Sequence, residues 1–366
     1  MDIGSPRKTP LYDLHVELSG KVVDFAGWEL PVQYASGIVA EHKQCREKAA
    51  LFDVSHMGQV TIRGDNAATA LEALVPSAIA TLKPGKARYT VLTNDAGGIR
   101  DDLIVSNAGD HLFVVVNAAM RDQDIAHMRA HLGGFEVTEL LDRALVAVQG
   151  PAAVNVVSNL APAAAELTFM ATFETDILGH NCRISRLGYT GEDGFEISMP
   201  ADHAIEIARA LLAHDDCAPA GLGARDSLRL EAGLCLYGHD IDTETSPVEA
   251  QLPWIIQKRR RENGGFPGAD RILRELTDGP TRKLVGLRPQ GRAPAREGCE
   301  IQSIEGAVIG KVTSGGFAPT LGTPVSIGYV AAEQASPGIN VNLIVRGKPQ
   351  PAEVVSLPFV PHNYKR

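Results

Sequence analysis

Four stretches of the chain carry apolar residues at three- and four-residue spacing, the signature of an amphipathic helix: residues 36–50, residues 66–75 behind a capping Asp65, residues 120–132 and residues 202–213. Between them lie short apolar runs that read as strands. Residues 102–106 and 112–117 form a hairpin about the turn Ala108-Gly109-Asp110, and residues 144–148 end at Gly150-Pro151 before a further helix. Hairpins mixed with single helices predict an α+β protein with antiparallel sheet in ferredoxin-like units, because a doubly wound parallel sheet requires strict alternation. From Thr281 onward the pattern changes to short strands at 283–287, 307–312, 326–330, 341–345 and 353–356, which predict a small β-barrel or sandwich. The boundary falls in residues 264–280.

Composition narrows the choice of partner. A chain of 366 residues with 44% hydrophobic residues can bury a large core. A net charge of −9 supplies no field that would draw it to nucleic acid or an anionic membrane. Five scattered cysteines, odd in number and never spaced as CxxC, read as reduced cytosolic thiols rather than a disulfide framework or a zinc site. The N-terminus, MDIGSPRKTPLYDLH, lacks the apolar stretch of a secretory signal, and the run 112–120 is far too short to span a bilayer. A cytoplasmic protein is expected.

Several familiar motifs fail on inspection. Gly221-Leu222-Gly223 begins like a dinucleotide fingerprint but lacks the third glycine. His127 and His131 stand one helical turn apart, yet no glutamate follows His127 as HExxH chemistry demands, so both read as surface histidines. Neither a GxSxG elbow nor a P-loop is present.

Four stretches combine conformationally costly glycines with polar side chains. In Gly97-Gly98-Ile99-Arg100-Asp101-Asp102 two adjacent carboxylates open a strand and point to opposite faces, so one is solvated and the other enters the interior; a polar turn explains the pattern about as readily. In Arg186-Leu187-Gly188-Tyr189-Thr190-Gly191, continuing to Glu196, glycines let the backbone approach a flat ligand, Tyr189 offers a ring face and Glu196 a carboxylate for a two-donor edge such as a pterin's. A Gly-rich hairpin with surface acids is the alternative. The helix beginning at Gly221 places Arg225 and Arg229 on one face, where either can pair with an acid. In Asp53-Val54-Ser55-His56-Met57-Gly58, His56 reads as a satisfied turn histidine rather than a base.

Together these stretches resemble the aminomethyltransferase of the glycine cleavage system, the T-protein. The resemblance runs almost end to end and includes Val23-Asp24-Phe25-Ala26-Gly27-Trp28, Leu236-Tyr237-Gly238-His239-Asp240 and Thr313-Ser314-Gly315-Gly316-Phe317. It implies a three-domain cloverleaf: residues 1–275 as two intertwined α+β subdomains that bind folate, and residues 281–366 as a C-terminal β-barrel. It further implies Asp102 as the key carboxylate, with Asp101 its structural partner. Glu196, Arg225, Tyr364, Tyr89, Met57, Asn117, Tyr189 and Trp254 follow as the lining of the folate site. One departure is Arg100, a cation beside the carboxylate pair, harmless if it faces outward.

The activity so implied moves a one-carbon unit from an aminomethyl group on a lipoyl-carrier protein to tetrahydrofolate and releases ammonia, without metal or flavin. An ionised Asp102 would accept a hydrogen bond from a folate N–H. A bacterial source places the reaction in the cytoplasm, a eukaryotic one in the mitochondrial matrix. A folate domain of an oxidative demethylase would carry a flavin domain, and a folate-binding iron–sulfur repair protein would carry a cysteine where Gly188-Tyr189-Thr190-Gly191 stands. The basic run Lys258-Arg259-Arg260-Arg261 reads as a solvated helix end, or else as a rim patch that attracts an anionic carrier or a folate polyglutamate tail.

Overall fold

The computed structural model describes residues 5–366; residues 1–4, which belong to the segment read as lacking a secretory signal, lie outside the described residues. Three sheets and nine α-helices make up the described chain. The helices are α1 (Tyr12–Glu17), α2 (Ile38–Glu47), α3 (Ala67–Glu72), α4 (Arg121–His131), α5 (Ala153–Leu160), α6 (Ala204–Leu212), α7 (Leu222–Glu231), α8 (Lys258–Asn263) and α9 (Ala269–Asp278).

A small sheet joins β1 (Arg7–Lys8), β2 (Lys21–Phe25) and β3 (Trp28–Gln33). The main sheet has eleven strands: β4 (Ala49–Asp53), β5 (Gly58–Arg63), β6 (Lys86–Thr93), β7 (Ile99–Asn107), β8 (His111–Val116), β9 (Glu136–Glu139), β10 (Arg143–Gln149), β11 (Ala171–Ile177), β12 (His180–Arg186), β13 (Gly194–Pro200) and β14 (Cys217–Pro219). Their order is β14-β4-β10-β13-β12-β11-β6-β7-β8-β5-β9, so the strand ladder joins the half built on β10 to β13 to the half built on β6 to β8 through the short β6–β11 pairing. The remaining strands close a barrel: β15 (Arg282–Pro289), β16 (Glu300–Gln302), β17 (Val308–Ala318), β18 (Thr323–Ala331), β19 (Asn340–Val345) and β20 (Lys348–Val355), ordered β15-β18-β17-β16-β19-β20. The α+β architecture with a C-terminal barrel is as the pattern predicts.

The period-two rule places the barrel against the rest of the chain. Val325, Ile327 and Tyr329 on β18 face outward into a core shared with Leu230 and Ile255, whereas Val330 joins Val285, Leu287, Val312 and Ile301 inside the barrel. Each fully buried aliphatic side chain contributes about 1.5–3 kcal/mol, enough in sum to hold the two parts in one packing arrangement.

The helices are shorter than their apolar patterns suggest. The predicted helix 36–50 stops at Glu47, and Ala49 and Ala50 already belong to β4, where both are fully buried beside β10 and β14. Tertiary pairing overrides the helical pattern there. The predicted cap at Asp65 is replaced by Asn66, which adopts a left-handed conformation with φ 66° and makes no capping hydrogen bond. The first turn of the predicted helix 202–213 is 3₁₀, with α6 starting at Ala204. Among the described residues no helix is long and apolar enough to cross a membrane.

Candidate functional site

β7 positions the two central carboxylates. Its pairing with β6 slips between Leu92 and Thr93, so Arg100 is the extra residue of a β-bulge between Ile99 and Asp101. The bulge abuts the segment at Thr243, where a Cβ on Gly98 would stand 1.8 Å from the Thr243 carbonyl oxygen, so only glycine fits. Beyond the bulge the strand alternates. Asp101, Leu103 and Val105 point toward α4, while Asp102, Ile104 and Ser106 point to the other face. There Ile104 and Ser106 line a small cavity with Val115, Leu187, Arg183 and Glu196.

Asp102 sits at this inner face in contact with Tyr89 and Asn117. Asn117, immediately after β8, donates its side-chain N–H to Asp102 Oδ1 at 2.6 Å and to Asp101 Oδ1 at 2.9 Å, and its backbone N–H to Asp101 Oδ2 at 3.1 Å. Burial, and with it a charge on Asp101 whenever that acid is ionised, push the Asp102 carboxyl up to about 7, with hydrogen bonds from Tyr89 and Asn117 opposing. An ordinary, fully ionised carboxylate is thus the wrong description of Asp102. Asp101 is wholly buried, and desolvation together with contact from Asp124 pushes it up to about 9.

Tyr89 stacks on Trp254 with ring centroids 5.7 Å apart, and Trp254 is 60% exposed, so this pair lies at the surface end of the group. Tyr189 comes from the loop between β12 and β13, its hydroxyl bonded to the Cys235 carbonyl. The loop depends on Gly188, since a Cβ there would lie 1.8 Å from Gln149 Oε1, the atom that accepts from Thr190. The Arg225 guanidinium lies 4.8 Å over the Tyr189 ring, and its Nη1 is buried without a partner. Arg229, one turn on, takes up Asp226 at 2.9 Å and Asp240 at 2.8 Å, so the two arginines of α7 divide into one that is paired and one that is free to bind.

Glu196 is 9% exposed, and burial raises its carboxyl against the opposing field of Arg225. No described hydrogen bond reaches it from the protein. A buried carboxylate and a half-buried guanidinium whose Nη1 is sealed from solvent, neither with a hydrogen-bond partner, are expensive to maintain, which marks them as groups for a ligand.

The other expected residues stand further out. Met57 packs partly buried against the cluster of Phe52, Val54 and Leu145. Tyr364 stacks on Phe169 at 4.1 Å in the C-terminal tail, which crosses the Tyr189 loop through a hydrogen bond from Asn363 N–H to Gly191 O at 2.8 Å. His56 departs from its reading as a satisfied turn residue: it is 5% exposed, Nδ1 has no partner, and burial holds it down to about 4. His127 is also more than a surface histidine, half-buried and held at about 4, while His131 is exposed. Asp124 escaped the sequence reading altogether. Its signal was there: with Arg121, Ile125 and Met128 it occupies the buried stripe of α4, a charged residue where an apolar one belongs.

Within the basic run only Arg260 is buried; Lys258, Arg259 and Arg261 are exposed, as expected of a solvated helix end. Arg260 is 5% exposed and bonds Glu72, the Glu72 and Val75 carbonyls and Gly265 O, while Arg259 pairs with Glu72 at 2.6 Å. Arg261 bonds the carbonyls of Ile256 and Pro253, leaving Lys258 exposed with a loose 3.7 Å contact to Glu262. Three arginines therefore anchor α8 to α3 and its own preceding turn.

One group of potential metal ligands occurs among the described residues, His180, His203 and Glu206. Its imidazoles are stacked with centroids 3.5 Å apart and planes within 18°, so an ion at bonding distance from both nitrogens would lie out of both ring planes. His180 is also five residues along β12 from Ser185, the partner of Glu196, or about 16 Å.

Two family models match the chain, the GCVT N-terminal domain over residues 11–260 and the glycine cleavage T-protein C-terminal barrel domain over residues 282–361. The chain belongs to the glycine cleavage T-protein family, the aminomethyltransferases. Among its relatives, the probable mitochondrial aminomethyltransferase of Schizosaccharomyces pombe is 46% identical across 98% of this chain and 94% of its own length. The mitochondrial aminomethyltransferase of Dictyostelium discoideum is 45% identical with the same coverage. The crystal structure of the glycine cleavage system aminomethyltransferase T from Bartonella henselae superposes with a TM-score of 0.94 at 42% identity, covering 99% of this chain and all of that one. T-protein family membership thus spans both the sheet region that carries Asp102 and the barrel.

Proposed function

We propose that this aminomethyltransferase takes tetrahydrofolate as its acceptor, with the pterin edge between Glu196 and Arg225, and takes the aminomethyl group from the lipoyl arm of a carrier protein. The observation that carries the reading is the pair of unpartnered charges beside Tyr189, Glu196 buried and Arg225 half-buried. A pterin offers adjacent N–H donors to a carboxylate and a carbonyl acceptor to a guanidinium, each a charge-assisted hydrogen bond. Residues 1–275 carry this site and residues 281–366 form the barrel beside it. Tyr89 and Trp254 supply aromatic faces at the outer end, and Met57 and Tyr364 complete the wall.

In the transfer, the aminomethyl carbon loses its bonds to sulfur and to nitrogen and gains bonds to the two folate nitrogens. The two folate N–H protons end on the departing ammonia and on the lipoyl thiol. Asp102 is the group that accepts a folate N–H and passes the proton on; a carboxyl near 7 suits both halves of that task at neutral pH. Asn117 holds the carboxylate in place, and the enclosed site excludes water from the reactive carbon. Several relatives are named mitochondrial; for this chain we place the reaction in the cytoplasm of a bacterium or the matrix of a mitochondrion.

The test is a coupled assay with aminomethylated carrier and tetrahydrofolate that reads ammonia and methylene-tetrahydrofolate together. One-to-one appearance of both supports the reading, and ammonia without the folate product sinks it.

A further inference from the structure

Behind Asp102, on the opposite face of β7, lie two acids that the transfer chemistry leaves unused. Asp101 is wholly buried, and Asp124, projecting from α4, is 2% exposed. Their carboxyls lie within hydrogen-bonding reach of each other. Asp101 receives both of its N–H donors from Asn117, while Asp124 Oδ2 is buried and receives none. Two carboxylates cannot stay charged in contact within an apolar layer formed by Leu103, Ile125 and Met128, so a proton must lie between them.

The surroundings say which acid keeps it. Arg100, the bulge residue, favours the anionic form of Asp124, and no cation opposes the burial of Asp101. His127, also on α4, is held neutral at physiological pH by burial. Tyr237, which faces both acids from the loop after α7, is raised to about 12 and is neutral too, as is Tyr89 on β6. Asp102 faces the pair from its own strand.

We propose that Asp101 and Asp124 form a one-proton carboxyl pair that positions Asp102, with the proton on Asp101 and the negative charge on Asp124 beside Arg100. A neutral Asp101 accepts from Asn117 without placing a second charge next to Asp102. Asn117 is thereby free to fix the Asp102 carboxylate, and the two acids act through it rather than on any substrate. Both are positioning residues.

The pH-dependent part of the test rests on the folate reading; the spectroscopic part does not. Infrared spectra of the whole unliganded chain at about pH 8, where Asp102 is largely ionised, should contain the carbonyl stretch of a protonated carboxyl that is absent from Asp101→Asn and titrates away near pH 9. Absence of that band from the wild type overturns the proposal. In Arg100→Leu the band should gain amplitude at pH values above about 6, because the pair takes its second proton more readily without the cation; no gain overturns the assignment of the charge to Asp124. The single-turnover rate of transfer then separates positioning from mere packing. In Asp124→Asn, Asp101 is freed to ionise, and its charge should move the acid limb of the profile up by about one pH unit. In Asp101→Asn the amide donates to Asp124 and keeps one of the two hydrogen bonds from Asn117, and it carries no charge, so the acid limb should hold the wild-type position. An unmoved limb in Asp124→Asn overturns the positioning role. A wild type that shows the band yet transfers no carbon upholds the pair and sinks the folate reading.

Discussion

The side-chain amide of Asn117 donates to Oδ1 of Asp101 at 2.9 Å and to Oδ1 of Asp102 at 2.6 Å. One residue therefore holds two neighbouring carboxyls that β7 sends to opposite faces, and only the one at the inner face can meet a substrate. Asp102→Asn keeps the shape of the group and removes its capacity to take a proton. Single-turnover transfer should fall by about 100-fold or more while the folate dissociation constant stays within about threefold, as calorimetry can measure. A variant with wild-type turnover would remove Asp102 from the chemistry.

The same carboxyl gives the reaction a pH dependence. Asp102 must be ionised to accept a proton, and burial has raised it to about 7, so the single-turnover rate should fall below that pH with the slope of one proton. A rate constant flat down to about pH 5 would mean an ordinary carboxylate carries the step.

The strand pattern made β7, β8 and the barrel legible, because period-two alternation is written directly into residues such as Leu103, Val105, Val325 and Ile327. The pair Asp101 and Asp102 was legible for the same reason, as two polar residues on opposite faces of one strand. Asp124 was not, since its meaning depends on α4 lying over Asp101, a contact between elements separated by a hairpin. Arg260 misled because charge in a sequence reads as exposure, whereas Glu72 and the carbonyls of Glu72, Val75 and Gly265 supply partners no local pattern announces. His56 failed likewise: a turn histidine is usually satisfied, and only the packed site shows its Nδ1 without a partner.

Glu196→Gln should weaken folate binding by about 1.5–3 kcal/mol, because the amide replaces an acceptor of two N–H groups with one acceptor and one competing donor. That corresponds to roughly a 10- to 150-fold rise in the dissociation constant, readable by calorimetric titration. An unchanged affinity would show that the buried carboxylate serves the fold and not the pterin.

Arg260→Ala should cost stability rather than carrier kinetics. The substitution leaves Glu72, 5% exposed, with Arg259 and the Ala80 N–H, and strips donors from the Val75 and Gly265 carbonyls. Breaking a buried ion pair costs about 3–5 kcal/mol, which chemical denaturation would register. The ionic-strength dependence of the Michaelis constant for the carrier should match wild type in this variant, and in Lys258→Ala, whose ammonium is exposed, both stability and kinetics should be unaltered. A flattened salt dependence in Arg260→Ala would restore the steering role.

Asp101 also sets how stability depends on pH. Its carboxyl stands at about 9 in the folded chain, against about 3.9 in an unfolded one. The folded state thus binds the proton more tightly, so the contribution is fully present below about pH 4 and is lost as the pH climbs toward 9. Asp101→Asn removes this term, because the amide never ionises; it keeps the hydrogen bond to Asp124 and one of the two from Asn117. The melting temperature of the variant should therefore rise relative to wild type as the pH climbs, from a constant offset at acid pH set by the lost hydrogen bond. The separation should level off above about pH 9, where Asp101 is ionised in both states of the wild type. Asp102→Asn serves as the control: its carboxyl rises only to about 7, so its gain over wild type should level off about two pH units sooner. Parallel melting curves for Asp101→Asn and wild type across the whole range would show that the buried acid carries no proton.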